Sequence, residues 1–186
     1  MSKRNGSGAG FTLIELLVVI TIIGLLAAII VPSIIGALGA AKKARAMSEI
    51  KDLDGAIKRY NAEYNRMPVP SADMTGGADK LYSGREQSDL ILVLINANDA
   101  LNPKQIAFLE INPASFGVKT AAEMQAQLAN GEPYRDPWGN EYGILLDLNF
   151  DDKITGAGGF GDILAKVGVY SGGQNGNAAD PPYKTW

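Results

Sequence analysis

The chain has 186 residues, 17 Lys and Arg against 20 Asp and Glu, a formal net charge of −3, and neither cysteine nor histidine. That length allows one compact domain plus an extra segment, while the missing residue types exclude disulfides, thiolate or histidine-ligated metal sites, and Ser-His-Asp or Cys-His catalysis. The charge balance provides no broadly basic surface, so no nucleic-acid partner is expected.

Residues 1–10 carry Gly, Ser, Lys3 and Arg4 without apolar periodicity and read as a removable leader. From Gly10 to Ala41 the chain is apolar, with Glu15 its only ionisable side chain. The 26 residues from 16 to 41 hold no charge. As a helix they reach about 39 Å, more than a hydrocarbon core of about 30 Å. A secretory signal peptide has its small-residue cleavage site after the apolar region; here Gly8, Ala9 and Gly10 precede it. Cleavage after Gly10 leaves the apolar helix on the mature protein, with Glu15 as its fifth residue. A carboxylate in lipid costs up to about 3 kcal/mol at mid-membrane unless it finds a partner.

Gly10, Phe11, Thr12, Leu13, Ile14 and Glu15, followed by the unbroken apolar run, resemble the class III leader of type IV pilins and type II secretion pseudopilins. The resemblance implies that a membrane prepilin peptidase cuts between Gly10 and Phe11 and methylates the new amine of Phe11. It also implies that Glu15 neutralises the terminal amine of a neighbouring subunit during assembly. Loss of Lys3 and Arg4 leaves 15 basic against 20 acidic residues, a net charge of −5. Lys42, Lys43 and Arg45 compete with Lys3 and Arg4 under the positive-inside rule, so the motif, not the charge count, places the N-terminus in the cytoplasm.

Within the span, Pro32 removes a helical donor and crowds the carbonyl of Ala28, which predicts a kink or local unwinding. Gly24, Gly36 and Gly39 offer points of close helix approach. Beyond Ala41, Met47, Ile50, Leu53, Ile57, Tyr60 and Tyr64 recur at spacings of three and four between charged residues. One helix is therefore predicted from near Thr12 to about Asn65, ending before Pro68 and Pro70. Its second half, 42–65, should bury a stripe on a sheet.

Residues 67–85 read as a polar surface loop. Short helices are predicted at 90–95, with Ser88 as N-cap, and at 102–109 and 120–129. Asp136-Pro137-Trp138-Gly139-Asn140 has the residue order of a type I turn, with Trp138 expected in the core. Residues 141–146 and 163–170 alternate as antiparallel strands. The turn followed by a strand resembles the globular domain of major pseudopilins of type II secretion.

Two loops offer oxygen ligands. Asp147, Asn149, Asp151 and the carbonyl of Lys153 match the first part of an EF-hand-type loop, although Asp152 stands at the usual glycine and Gly158 at the closing acid. Asp162 would have to supply that acid. The second loop, 172–180, occupies the region where the family binds calcium, and Asp180 is its only acid. For both loops the alternative is a polar turn closed by Asx-type hydrogen bonds.

The expected fold is α+β: a leader at 1–10, a long helix at 11–65 with a membrane or filament part at 11–41, and a globular extracytoplasmic domain at 66–186. The resemblance implies a structural, non-enzymatic subunit of a type II secretion pseudopilus in the bacterial inner membrane. Its implied partners are further copies of itself in a helical homopolymer, the prepilin peptidase, minor pseudopilins and the inner-membrane assembly platform, with calcium as the implied ion. The alternatives are a type IV pilus subunit for adhesion, motility or DNA uptake, and an anchored extracytoplasmic enzyme built on Asp147, Asp151 and Asp162.

Overall fold

The computed structural model describes residues 11–75 and 77–186. The leader, including Gly10, lies outside the described residues. The chain divides into two units, the first ending at Ala41 and the second running from Lys42 to Trp186.

Helix α1, Leu13–Tyr64, contributes to both units. In the first unit its apolar side chains are exposed, from Leu13 at 89% to Val19 at 45%. The hydroxyls in this stretch bond to the helix itself: Thr21 Oγ1 donates to the Leu17 carbonyl at 2.7 Å and Ser33 Oγ to the Ile29 carbonyl at 3.2 Å. Such internal satisfaction suits a helix that has no water to turn to. Pro32 lies inside the helix. The helix continues on either side of it. One lost donor leaves the flanking turns enough hydrogen bonds to hold the helical path.

In the second unit, α1 buries Ala46, Ile50, Leu53, Ala56, Ile57 and Tyr60, the stripe that the spacing predicts. It packs into a core shared with helix α3, Gly84–Leu94, and the sheet. Strands β1 (Lys80–Tyr82), β2 (Tyr142–Leu146), β3 (Val167–Ser171) and β4 (Tyr183–Lys184) form one antiparallel sheet in sequential order. Ile144 pairs with Val169 at its centre.

Strands β2 and β3 are buried along their whole length, so one-sided alternation describes only half of their environment. Tyr142, Ile144, Leu146, Val167 and Val169 face the α1 core. Leu145 and Tyr170 belong to a second cluster with Ile154, Ala157 and Ile163. The connection 147–166 folds back through the bridge between Ile154 and Ile163, which covers the other face. For that reason Ile163 and Ala165 lie outside β3.

The region 67–85 is not a surface loop. Met67 and Val69 are fully buried, Ser71–Thr75 forms a short helix α2, and Lys80–Tyr82 pairs with β2. Three residues carry too little alternation to be legible as a strand, and the pairing partner supplies what local pattern lacks. Helix α3 begins four residues before Ser88, which instead sits buried inside it, donating to the carbonyls of Gly84 and Glu132. Helix α4, Ala121–Ala129, starts as expected behind Thr120, whose hydroxyl and Glu123 form a reciprocal capping box.

The predicted helix at 102–109 does not form. The buried Asn102 amide donates to the carbonyls of Val93 and Ile106, and its oxygen accepts from Ile106 N and Tyr64 Oη. A side chain that satisfies nearby backbone in this way competes with the helical ladder. Trp138 is only partly buried and stacks on Tyr183 with centroids 5.4 Å apart, so it does not fill the core. The turn geometry places it at the rim, where Asp136 is the buried member.

Candidate processing and assembly site

The first described residues after Gly10 are Phe11, 77% exposed, and Thr12, which precedes the first turn of α1. The Thr12 backbone N–H and Oγ1 both donate to Glu15 Oε2, at 2.9 and 2.8 Å, and Glu15 N donates to Thr12 Oγ1 at 3.2 Å. This is a capping box: two otherwise orphaned donors are satisfied and a carboxylate is held at the positive end of the helix. The T-x-x-E spacing of Thr12-Leu13-Ile14-Glu15 carries that signal in the sequence. Glu15 therefore has an intramolecular role beside the intermolecular one that the family resemblance implies. All three bonds engage Oε2 or the Glu15 amide, and none of them uses Oε1.

The second candidate is the loop 147–155. Asp147 is fully buried; its Oδ1 accepts from Phe150 N at 2.7 Å and its Oδ2 from Asp152 N at 2.9 Å. Burial pushes the Asp147 carboxyl above its ordinary range, opposed by these amides and reinforced by the nearby Asp79 carboxylate. Asn149 Oδ1 accepts from Asp151 N, and Asp151 Oδ1 from Lys153 N. Phe150 and Asp152 take positive φ, 60° and 66°.

Asp79 closes the loop from outside: Oδ1 accepts from Leu148 N at 3.0 Å and Oδ2 from Thr155 N at 2.6 Å. Nothing local marks Asp79 for this task, which arises from the β1–β2 pairing beside it. Asp162, expected as a closing acid, pairs with Lys153 Nζ at 2.7 Å, and Asp152 with Lys166 Nζ at 2.8 Å. Among the described residues no group of three or more carboxylates is gathered to hold a metal. As arranged, these donors accept from backbone amides and pair with lysine ammonium groups.

The third candidate, 172–180, is organised by Asp136. Its carboxylate accepts from Trp138 N, Asn140 N and Ser171 Oγ, the last at 2.6 Å. Asn140 Nδ2 donates to the Gly173 carbonyl at 2.6 Å. Asp180 Oδ1 lies 4.0 Å from Lys184 Nζ, and Asp180 N donates to Asn177 Oδ1. The type I turn is present, closed by Gly139 N to the Asp136 carbonyl at 2.9 Å.

The model of the prokaryotic N-terminal methylation motif matches residues 7–31. The chain is similar to the type II secretion system core protein G of Aeromonas hydrophila, 42% identical over 69 residues, which are 37% of this chain and 47% of that protein. The protein of the same name in Escherichia coli K12 is 42% identical over 60 residues, 32% of this chain and 41% of that protein. The type IV major pilin protein PilA of Myxococcus xanthus is 41% identical over 66 residues, 36% of this chain and 30% of that one. The matched stretch spans less than half the length of each of these relatives. No solved structure matches significantly.

Proposed function

We propose that this chain is a pilin-like protein, a structural subunit of a type II secretion pseudopilus. On this reading the peptidase removes residues 1–10 and the Phe11 amine is methylated. The subunit waits in the inner membrane with its globular domain outside the cytoplasm. It then joins a filament whose growth pushes folded substrates outward.

The observation that carries the reading is the exposed apolar helix of the first unit, long enough to cross a membrane. Side chains such as Leu25 at 66% and Ile35 at 67% exposure demand lipid or other helices around them. Lipid meets that demand before assembly and neighbouring copies meet it afterwards. Oε1 of Glu15 then accepts from the methylated amine of the next subunit while Oε2 keeps its own cap. The role is mechanical: the chain supplies packing surface and one carboxylate, and no step of covalent chemistry is assigned to it. The minor pseudopilins and the assembly platform are the expected further partners.

A type IV pilus subunit is the second reading, favoured by the similarity to the Myxococcus pilin. Mass spectrometry of the native N-terminus tests what both readings share: a chain that starts at Phe11 and carries one methyl group. A native chain that retains residues 1–10 overturns both. Deletion of the secretin in the native host separates them, since it blocks protein secretion in the first case and surface fibres in the second.

A further inference from the structure

We propose that Lys43, Trp138 and Tyr183 form a seat on the phospholipid headgroup layer, an inference that rests on the membrane reading above. The uncharged run ends at Ala41, so Lys43 stands two residues, about 3 Å of helical rise, beyond it. Lys43 Nζ lies 5.9 Å from the centroid of the Tyr183 ring. Tyr183 in turn stacks on Trp138 with centroids 5.4 Å apart and an interplanar angle of 7°. Lys43 is exposed, and both rings are only partly buried. The Asp136 carboxylate fixes the turn that carries Trp138 by accepting from the amides on either side of Gly139.

Trp and Tyr concentrate at membrane–water interfaces because their rings are apolar and their N–H and O–H need polar partners. Lysine adds an ammonium that reaches phosphate while its stem lies along apolar surface. Among the described residues no carboxylate pairs with Lys42 or Lys43, whereas Lys184, next to Tyr183, is drawn toward Asp180. The occupant follows from charge. Lys43, which no carboxylate pairs among the described residues, stands beside Tyr183 just past an uncharged run long enough to cross a membrane, and an ammonium there suits lipid phosphate. Leaving the bilayer for a filament then means breaking this contact.

The test uses the full chain in liposomes at high lipid excess. Trp186→Phe leaves Trp138 as the sole tryptophan. Lipids brominated close to the glycerol should remove roughly half of its emission relative to unbrominated lipid, as expected for an interfacial indole. Lys43→Glu should reduce that quenching roughly twofold, since the reversed charge repels the phosphates. Trp138→Phe, which leaves only Trp186, should show little quenching and guards against misfolding of the first variant. Carbonate extraction reports insertion separately. A chain retained by the membrane whose Trp138 ignores bromine and stays open to iodide overturns the seat alone. A chain washed off by carbonate overturns the membrane reading as well. Shielding from iodide that grows with protein density, without bromine quenching, assigns the surface to a second copy and also overturns the seat.

Discussion

The carboxylate of Asp79 accepts the amide of Thr155 at 2.6 Å across 76 residues of chain. Its other oxygen takes Leu148 N, so one side chain anchors both ends of the loop that covers the outer face of β2 and β3. Asp79→Ala should leave two amides without acceptors and destabilise the globular unit by about 2 kcal/mol. Faster amide hydrogen exchange at Leu148 and Thr155, with α4 unchanged, is the signature. Protection equal to wild type would remove Asp79 from this role.

Glu15 serves the helix cap and, on the proposed function, the neighbouring amine. Glu15→Gln keeps a capping acceptor and discards the charge, whereas Glu15→Ala discards both. Filament yield should collapse in each, while peptidase processing continues. The first turn should fray only in Glu15→Ala, by about 1 kcal/mol. If Glu15→Gln builds filaments at the wild-type level, the charge pairing is refuted and the cap is what assembly needs.

Alkali should unfold the globular unit through its tyrosines. Burial, then the hydrogen bond to Glu49 and the Glu49 charge, push the Tyr142 phenol far above its ordinary 10.0; burial does the same for Tyr134 and Tyr82. A pKa raised in the folded state means that the unfolded chain releases its proton first. Stability from these groups is intact below pH 10 and declines as pH rises beyond it. Tyr142→Phe loses the 2.5 Å bond to Glu49, costs about 1 to 2 kcal/mol near neutrality, and should flatten the alkaline decline. Urea midpoints of the full chain in detergent at successive pH values provide the measurement.

Gly143 marks where the sheet and its cover meet most closely. A Cβ there would stand 2.2 Å from carbons of the Tyr170 ring, which is buried and edge-on to Phe160 and Trp186. Gly143→Ala should destabilise by about 1 to 3 kcal/mol through forced displacement of that ring. Tyr170→Leu in the same chain should recover part of the loss, which calorimetric melting would register.

Chelator should leave the thermal midpoint of the calcium-free and calcium-supplemented chain equal. The loop 147–155 is already closed by amides and by Asp79, and Lys153 neutralises Asp162. A midpoint that rises with added calcium would show that these carboxylates leave their present partners for the ion.

The amphipathic half of α1, the Asp136 turn and the cores of β2 and β3 were legible because each rests on short-range rules: a 3.6-residue period, a proline and glycine at fixed turn positions, and alternation. Residues 67–85 and 102–109 misled for a common reason. Lys80–Tyr82 becomes a strand only because β2 lies beside it, and Asn102 stays out of a helix because Val93 and Tyr64 reach its amide. At the candidate site, Glu15 announced itself as a charge in an apolar run, while Asp79 became visible only once two distant loop amides were seen to converge on it.

The sheet's outermost strands are three and two residues long, at Lys80–Tyr82 and Tyr183–Lys184. If copies of this chain pack side by side as the proposed function has it, these stubs are all that an intruding backbone would find to extend. On that function, polymer growth would be steered to the apolar helices rather than to the sheet edges.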